Sequence, residues 1–94
     1  MNDDAFEWDA QKAVGNYAKH GVAFEAARWV FKDPFAIEQL DDRQDYNEEL
    51  WTILGMASGR LLLVAYTMRG DIIRLISARA AEPFEQREYY EQNA

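Results

Sequence analysis

The chain contains no cysteine. That absence removes disulfides, thiolate metal ligands and cysteine nucleophiles together, and it suits a reducing compartment. Histidine occurs once, at His20, so there is no second imidazole to build a zinc site. Ser58 and Ser77 have no evident His–Asp partnership, and glycine-rich loops of the GxGxxG or Walker type are missing. Long apolar runs are missing too. The longest, Leu61 to Tyr66, is far short of the roughly 20 residues that span a bilayer. Met1 to Asp9 carries acids and no apolar run, so no signal peptide is expected, and the expected setting is the cytoplasm without a membrane partner. With no linker, repeat or low-complexity tract, residues 1–94 are expected to form a single domain with a core over about 5–92.

Bases are scarce: ten Lys and Arg stand against seventeen Asp and Glu, a net charge of −7. This balance argues against a protein that coats long nucleic acid by neutralising phosphates. The distribution is uneven, however. Residues 51–80 hold a single acid, Asp71, beside Arg60, Arg69, Arg74 and Arg79, an arginine island inside an acidic molecule. Its arginines either face an anionic ligand or pair with acids elsewhere in the fold.

What is present is an apolar content of 49% with five Phe, five Tyr and three Trp, enough for one core. Phe6-Glu7-Trp8 reads as a short strand. Asp9 caps a helix to about His20, stopped by Gly21, with Ala10, Ala13, Val14 and Tyr17 as its apolar stripe. A second helix runs from about Phe24 to Phe31, burying Ala26, Ala27 and Val30. It ends at Lys32-Asp33-Pro34, because the residue before proline is pushed out of the helical region. Phe35 to Leu40 reads as a strand, Asp41 to Asp45 as an acidic loop, and Glu49–Met56, Arg60–Met68 and Ile72–Ala78 as three further strands. Ser58-Gly59 and Arg69-Gly70-Asp71 suit hairpins. Leu61 to Val64 is apolar on both faces, which places that strand centrally in the sheet. Pro83 opens a last helix to about Gln92, with Glu82 and Glu85 near its positive end. The expectation is an α+β fold of two layers, with an antiparallel sheet of about four strands. Two N-terminal helices and one C-terminal helix pack on one face and leave the other free to bind.

Chemistry is concentrated in two places. Lys12, Asn16, Lys19 and His20 share a helix face opposite the apolar stripe, and histidine is the side chain best suited to move protons near neutral pH. Lysines and a histidine at a helix end also have a purely structural use, set against the helix dipole. The second place is the last strand, where Arg74 and Arg79 carry the guanidinium forks that suit phosphate. Strand alternation sets positions 74 and 79 on opposite faces unless a bulge intervenes. Asp41, Asp42 and Asp45 lack the Gly and distal Glu of a calcium loop, so a solvated loop is the reading, and no metal ligand is assigned.

These residues resemble a known family. Phe6-Glu7-Trp8-Asp9, Lys12, Asn16, Lys19-His20-Gly21-Val22 and Phe24-Glu25-Ala26-Ala27 are similar to the opening pattern of BrnT, the toxin of the BrnT/BrnA toxin–antitoxin systems. Asp33-Pro34, Gly55, Leu61 to Thr67, Arg74, Ile76-Ser77-Ala78-Arg79, Ala81, Glu85 and Tyr89 continue it, so the resemblance runs over about residues 6–90. It implies a RelE-like fold and a cytoplasmic ribonuclease that cleaves RNA without metal or cofactor. It also implies a BrnA-type antitoxin as partner, with operator DNA reached only through the antitoxin complex. One departure stands out: where the family commonly has arginine before an aromatic, this chain reads Glu49-Leu50-Trp51, so Leu50 replaces a base. Gln86 likewise stands where a base is common.

The resulting expectation is an endoribonuclease toxin. Arg74 and Arg79 would hold the phosphate and His20 would act as acid or base. Lys19 would assist, while Lys12, Arg69, Tyr66 and Tyr89 contact RNA. Arg79→Ala is expected to lower cleavage by about a hundredfold or more and spare the fold. The alternative is a weakened or inactive toxin fold that serves as an antitoxin-binding module, which the departure at Leu50 favours. A third reading is a metal-dependent hydrolase built on the aspartates. Tyr46, Trp51, Tyr89 and Tyr90 are the aromatic candidates for an antitoxin-covered surface.

Overall fold

The computed structural model describes residues 5–45 and 48–94, with the backbone alone for residues 43–45. A five-stranded sheet has the order β1-β5-β4-β3-β2. Its strands are β1 (Phe6–Glu7), β2 (Ile37–Asp45), β3 (Glu48–Ala57), β4 (Arg60–Arg69) and β5 (Ile72–Ala80). The last four form an antiparallel meander, while β1 lies parallel to β5 with Phe6 beside Ile73 and Glu7 beside Arg74. The expected sheet of about four strands is therefore one strand short. The fifth is β1, read as a short strand, whose parallel place beside β5 a two-residue pattern does not reveal.

Between β1 and β2 come α1 (Ala10–His20), α2 (Phe24–Ala27) and a 3₁₀ turn over Arg28–Lys32. Asp9 caps α1 by accepting from the backbone N–H of Gln11 at 2.8 Å and Lys12 at 3.1 Å. Gly21 closes it at φ 69°, a left-handed conformation that glycine adopts without penalty. The second expected helix breaks after one turn into the tighter 3₁₀ form. Asp33 then accepts the Phe35 N–H, so β2 begins at Ile37 instead of Phe35. The acidic stretch expected as a loop continues β2 to Asp45, past a register shift between Asp41 and Gln44.

The main core lies between the sheet and these helices. Phe6, Trp8, Phe24, Val30, Ile53, Leu62, Val64 and Leu75 are buried there, and edge-to-face ring contacts join Trp8 to Phe24 and Phe31 to both Phe6 and Tyr66. Gly55 faces the same layer. A Cβ there would meet Val30 at 3.0 Å and Ala36 at 3.1 Å, so glycine is what lets this segment lie against β3.

The opposite face is not left free. Helix α3 (Pro83–Gln92) lies on it, burying Tyr89 and Ala81 with Leu54 beside Ile37, Met56, Leu61 and Leu63. Strand alternation decides this, because Ile53, Leu62 and Val64 belong to one core and their neighbours Leu54, Leu61 and Leu63 to the other. Asp33 ties the two sides together. One carboxylate oxygen accepts from the Met56 N–H at 2.8 Å and from the Tyr89 hydroxyl at 2.5 Å. Burial works to raise this carboxyl, but the Tyr89 hydroxyl and the N–H groups of Met56 and Phe35 hold it below its ordinary value. Burial and the same contact push the Tyr89 phenol up to about 12.

Candidate functional site

The two arginines of β5 share a face after all. Arg74 lies opposite Thr67 and Arg79 opposite Leu63, both on the α3 side of the sheet. A bulge makes this possible. Ala65 pairs with Ser77 and Tyr66 with Leu75, so Ile76 is the extra residue and the parity of the strand flips between positions 74 and 79. The four steps along β4 from Leu63 to Thr67 still separate them by about 13 Å.

Both arginines are ion-paired. Arg74 donates to Glu7 at 2.8 Å. Arg79 forms a two-pronged pair with buried Glu85, at 2.8 and 2.9 Å, with Glu82 at 3.8 Å. Burial acts to raise the Glu85 carboxyl, yet the Arg79 guanidinium and the Glu82 N–H hold it below its ordinary value. Hydrogen bonding to Glu85 raises Arg79 in turn. Glu85 also accepts the Glu82 N–H at 2.8 Å, so the clamp closes the first turn of α3 as well. Arg69 pairs with Glu48 at 3.1 Å.

Helix α1 is turned from its expected face: Ala13 of the apolar stripe packs on the core, but the rest of the stripe does not. Asn16, assigned to the polar side with the lysines, is buried, while Val14 is 72% and Tyr17 60% exposed. Hydrogen bonding overrides the apolar stripe. The Asn16 amide donates to the carbonyls of Ala78 at 2.8 Å and Val22 at 3.0 Å, and its oxygen accepts the Ala78 N–H at 3.0 Å. This pairing seals the edge of β5 where β1 has ended, and it aligns α1 along that strand.

Lys12 and Lys19 therefore lie along one exposed flank of α1, two turns and about 10 Å apart. His20 is half-buried at the helix end. Arg60, which opens β4 after the tight Ser58-Gly59 turn, reaches the Gly21 carbonyl at 3.5 Å. Among the described residues Lys12, Lys19 and Arg60 form no ion pair; nor do Lys32 and Arg87, which lie elsewhere. Nothing in the sequence pattern links Arg60 to α1; the fold brings it to the Gly21 carbonyl at the end of that helix.

The remaining candidates are placed as follows. Tyr66 is buried, its ring against Phe31 and its hydroxyl donating to Glu38, so it presents no face to a base. Burial and the Glu38 contact hold that phenol above its ordinary value. Tyr89 is buried on Asp33. Trp51 is half-buried, Tyr90 is exposed, and Tyr46 lies outside the described residues. Leu50 is buried opposite Asp41 of β2 and precedes Trp51, which pairs with Tyr66 of β4. Among the described residues no three His, Cys, Asp or Glu side chains converge as metal ligands, and the side chain of Asp45 lies outside them.

Residues 8–85 match the family described as the ribonuclease toxin, BrnT, of type II toxin–antitoxin systems. The chain belongs to the BrnT family. Membership makes it a toxin-family protein of ribonuclease type, and a type II system supplies an antitoxin protein as partner. No curated protein matches the chain in sequence. No helix among the described residues is long and apolar enough to cross a membrane.

Proposed function

We propose that this chain is a metal-independent endoribonuclease toxin, cytoplasmic and RelE-like as a single domain over residues 1–94, neutralised by a BrnA-type antitoxin. Operator DNA is reached only through that complex. The observation that carries the site is the position of Arg60, without a carboxylate partner, on the Gly21 carbonyl next to Lys19 and His20. A cation with no internal anion is available to phosphate; one already clamped by a buried carboxylate is not.

The chemistry is intramolecular transfer. The ribose 2′-oxygen attacks the adjacent phosphorus, the bond from phosphorus to the 5′-oxygen breaks, and the products are a 2′,3′-cyclic phosphate and a 5′-hydroxyl. The 2′-hydroxyl proton leaves to a base and the 5′-oxygen gains one from an acid. His20 carries one of these two transfers. Arg60 and Lys19 stabilise the charge that builds on the phosphorane oxygens, and Lys12 extends contact along the strand. Arg74 and Arg79 position the sheet and α3 through their ion pairs, and Arg69, Tyr66 and Tyr89 support them.

One feature favours a second reading, an antitoxin-binding module with little or no activity. Leu50 puts a buried aliphatic chain where the resemblance leads one to expect a base, and Arg74 is already paired with Glu7. Cleavage of a purified RNA in EDTA separates the two. The unaltered protein is expected to cleave; activity that needs a divalent ion contradicts the metal-free mechanism. Cleavage only by Leu50→Arg establishes the second reading.

A further inference from the structure

The two edges of the sheet are treated differently. On the β5 side, β1 pairs with Ile73 and Arg74, and the Asn16 amide takes up the N–H and C=O of Ala78. On the other side the sheet ends at β2, and among the described residues no strand pairs with its outer side. An open edge offers alternating N–H and C=O groups to another extended chain.

This edge is acidic. Between Ile37 and Leu50 the chain has six acids and one base. Asp42 and Glu49 form no ion pair among the described residues, whereas Glu48 is held by Arg69. Beside the edge lies a cavity of about 560 Å³ whose lining includes Glu38, Glu49, Trp51 and Met68. Leu40 pairs across the strands with Trp51 and is 52% exposed, so apolar surface lies next to the carboxylates. Indole face and carboxylate together suit a guanidinium or ammonium group.

We infer that β2 accepts a basic, extended segment of a protein partner as a sixth strand. Its apolar side chains lie on Leu40 and Trp51, and its basic ones reach Asp42, Glu49 and the cavity. Two β2 edges brought together would oppose like charges, which disfavours a second copy of this chain, and RNA is repelled by the same carboxylates. Assigning the segment to the antitoxin rests on the toxin reading above; the chemistry of the surface does not.

The test uses two amidated twelve-residue peptides with the full chain, one repeating Arg-Thr-Val-Thr and the other Glu-Thr-Val-Thr, so that charged and apolar side chains share the face that meets Leu40, Trp51 and the cavity. The basic peptide is expected to bind and to slow amide hydrogen exchange over residues 38–42 by about tenfold. The double variant Asp42→Lys with Glu49→Lys, both exposed positions, is expected to weaken binding by about tenfold. Equal binding of the acidic peptide, protection confined to other segments, absence of binding, or self-association that protects β2 without peptide would each overturn the inference. The same samples assayed for RNA cleavage separate the two claims. Docking without cleavage removes the ribonuclease reading alone, and cleavage without docking removes this inference alone.

Discussion

Two sets of cations in this molecule look alike in sequence and differ in what surrounds them. Arg74 and Arg79 of β5 are paired with Glu7 and Glu85, the latter a buried carboxylate. Lys12, Lys19 and Arg60, around α1 and the start of β4, form no ion pair among the described residues. The first set spends its charge inside the fold, and in the proposed mechanism the second meets the phosphate. Charge counted along a sequence therefore says little about function until the internal anions are subtracted.

The comparison is sharpened most by removing what orients α1. Asn16→Leu deletes three buried hydrogen bonds and leaves the Ala78 and Val22 groups unsatisfied. A loss of about 3 kcal/mol is expected, a melting point lower by roughly 15 °C, measured by thermal unfolding. An unchanged melting point would mean that the edge seal contributes nothing.

Arg79→Met is next. It leaves Glu85 buried without its partner, and with Arg79 partly exposed the expected cost is about 2 kcal/mol by urea unfolding. Cleavage measured where the variant is still folded is expected to persist. This reverses the outcome that the sequence alone suggests for this residue.

A smaller effect comes from pH. The carboxyls of Glu85 and Asp33 both sit below their ordinary values in the folded state. Their contribution is present above the unfolded values of about 4 and is lost as pH falls through the folded ones. The urea midpoint is thus expected to fall between about pH 5 and pH 2. Tyr89→Phe removes one donor to Asp33, so its acid limb is expected to be shallower by about 1 kcal/mol or less.

Much of the fold was legible because the signals were local. Asp9 and Gly21 bound α1, Pro83 opens α3, and alternation together with two short turns gives the meander. The misses were tertiary. Ala13 of the α1 stripe faces the core as read, while the buried Asn16 amide leaves Val14 and Tyr17 exposed. The strand at Phe6-Glu7 was legible but its parallel place beside β5 was not, and α3 lies across the sheet because Asp33 and Leu54 hold Tyr89 there. Of the residues proposed for the site, Lys19 and His20 are singled out by residue type. Arg60 is not, since its neighbour lies 39 positions away, and neither are the carboxylates that occupy Arg74 and Arg79.

The central claim is that the unpaired cations act on RNA and the paired ones hold the fold. Its most direct test is single-turnover RNA cleavage in EDTA by His20→Ala, Arg60→Ala and Arg79→Met, each at a temperature where it is folded. The account predicts rates lower by about a hundredfold or more for the first two and within a few-fold of the unaltered protein for the third. A collapse in Arg79→Met with normal rates in Arg60→Ala would contradict it.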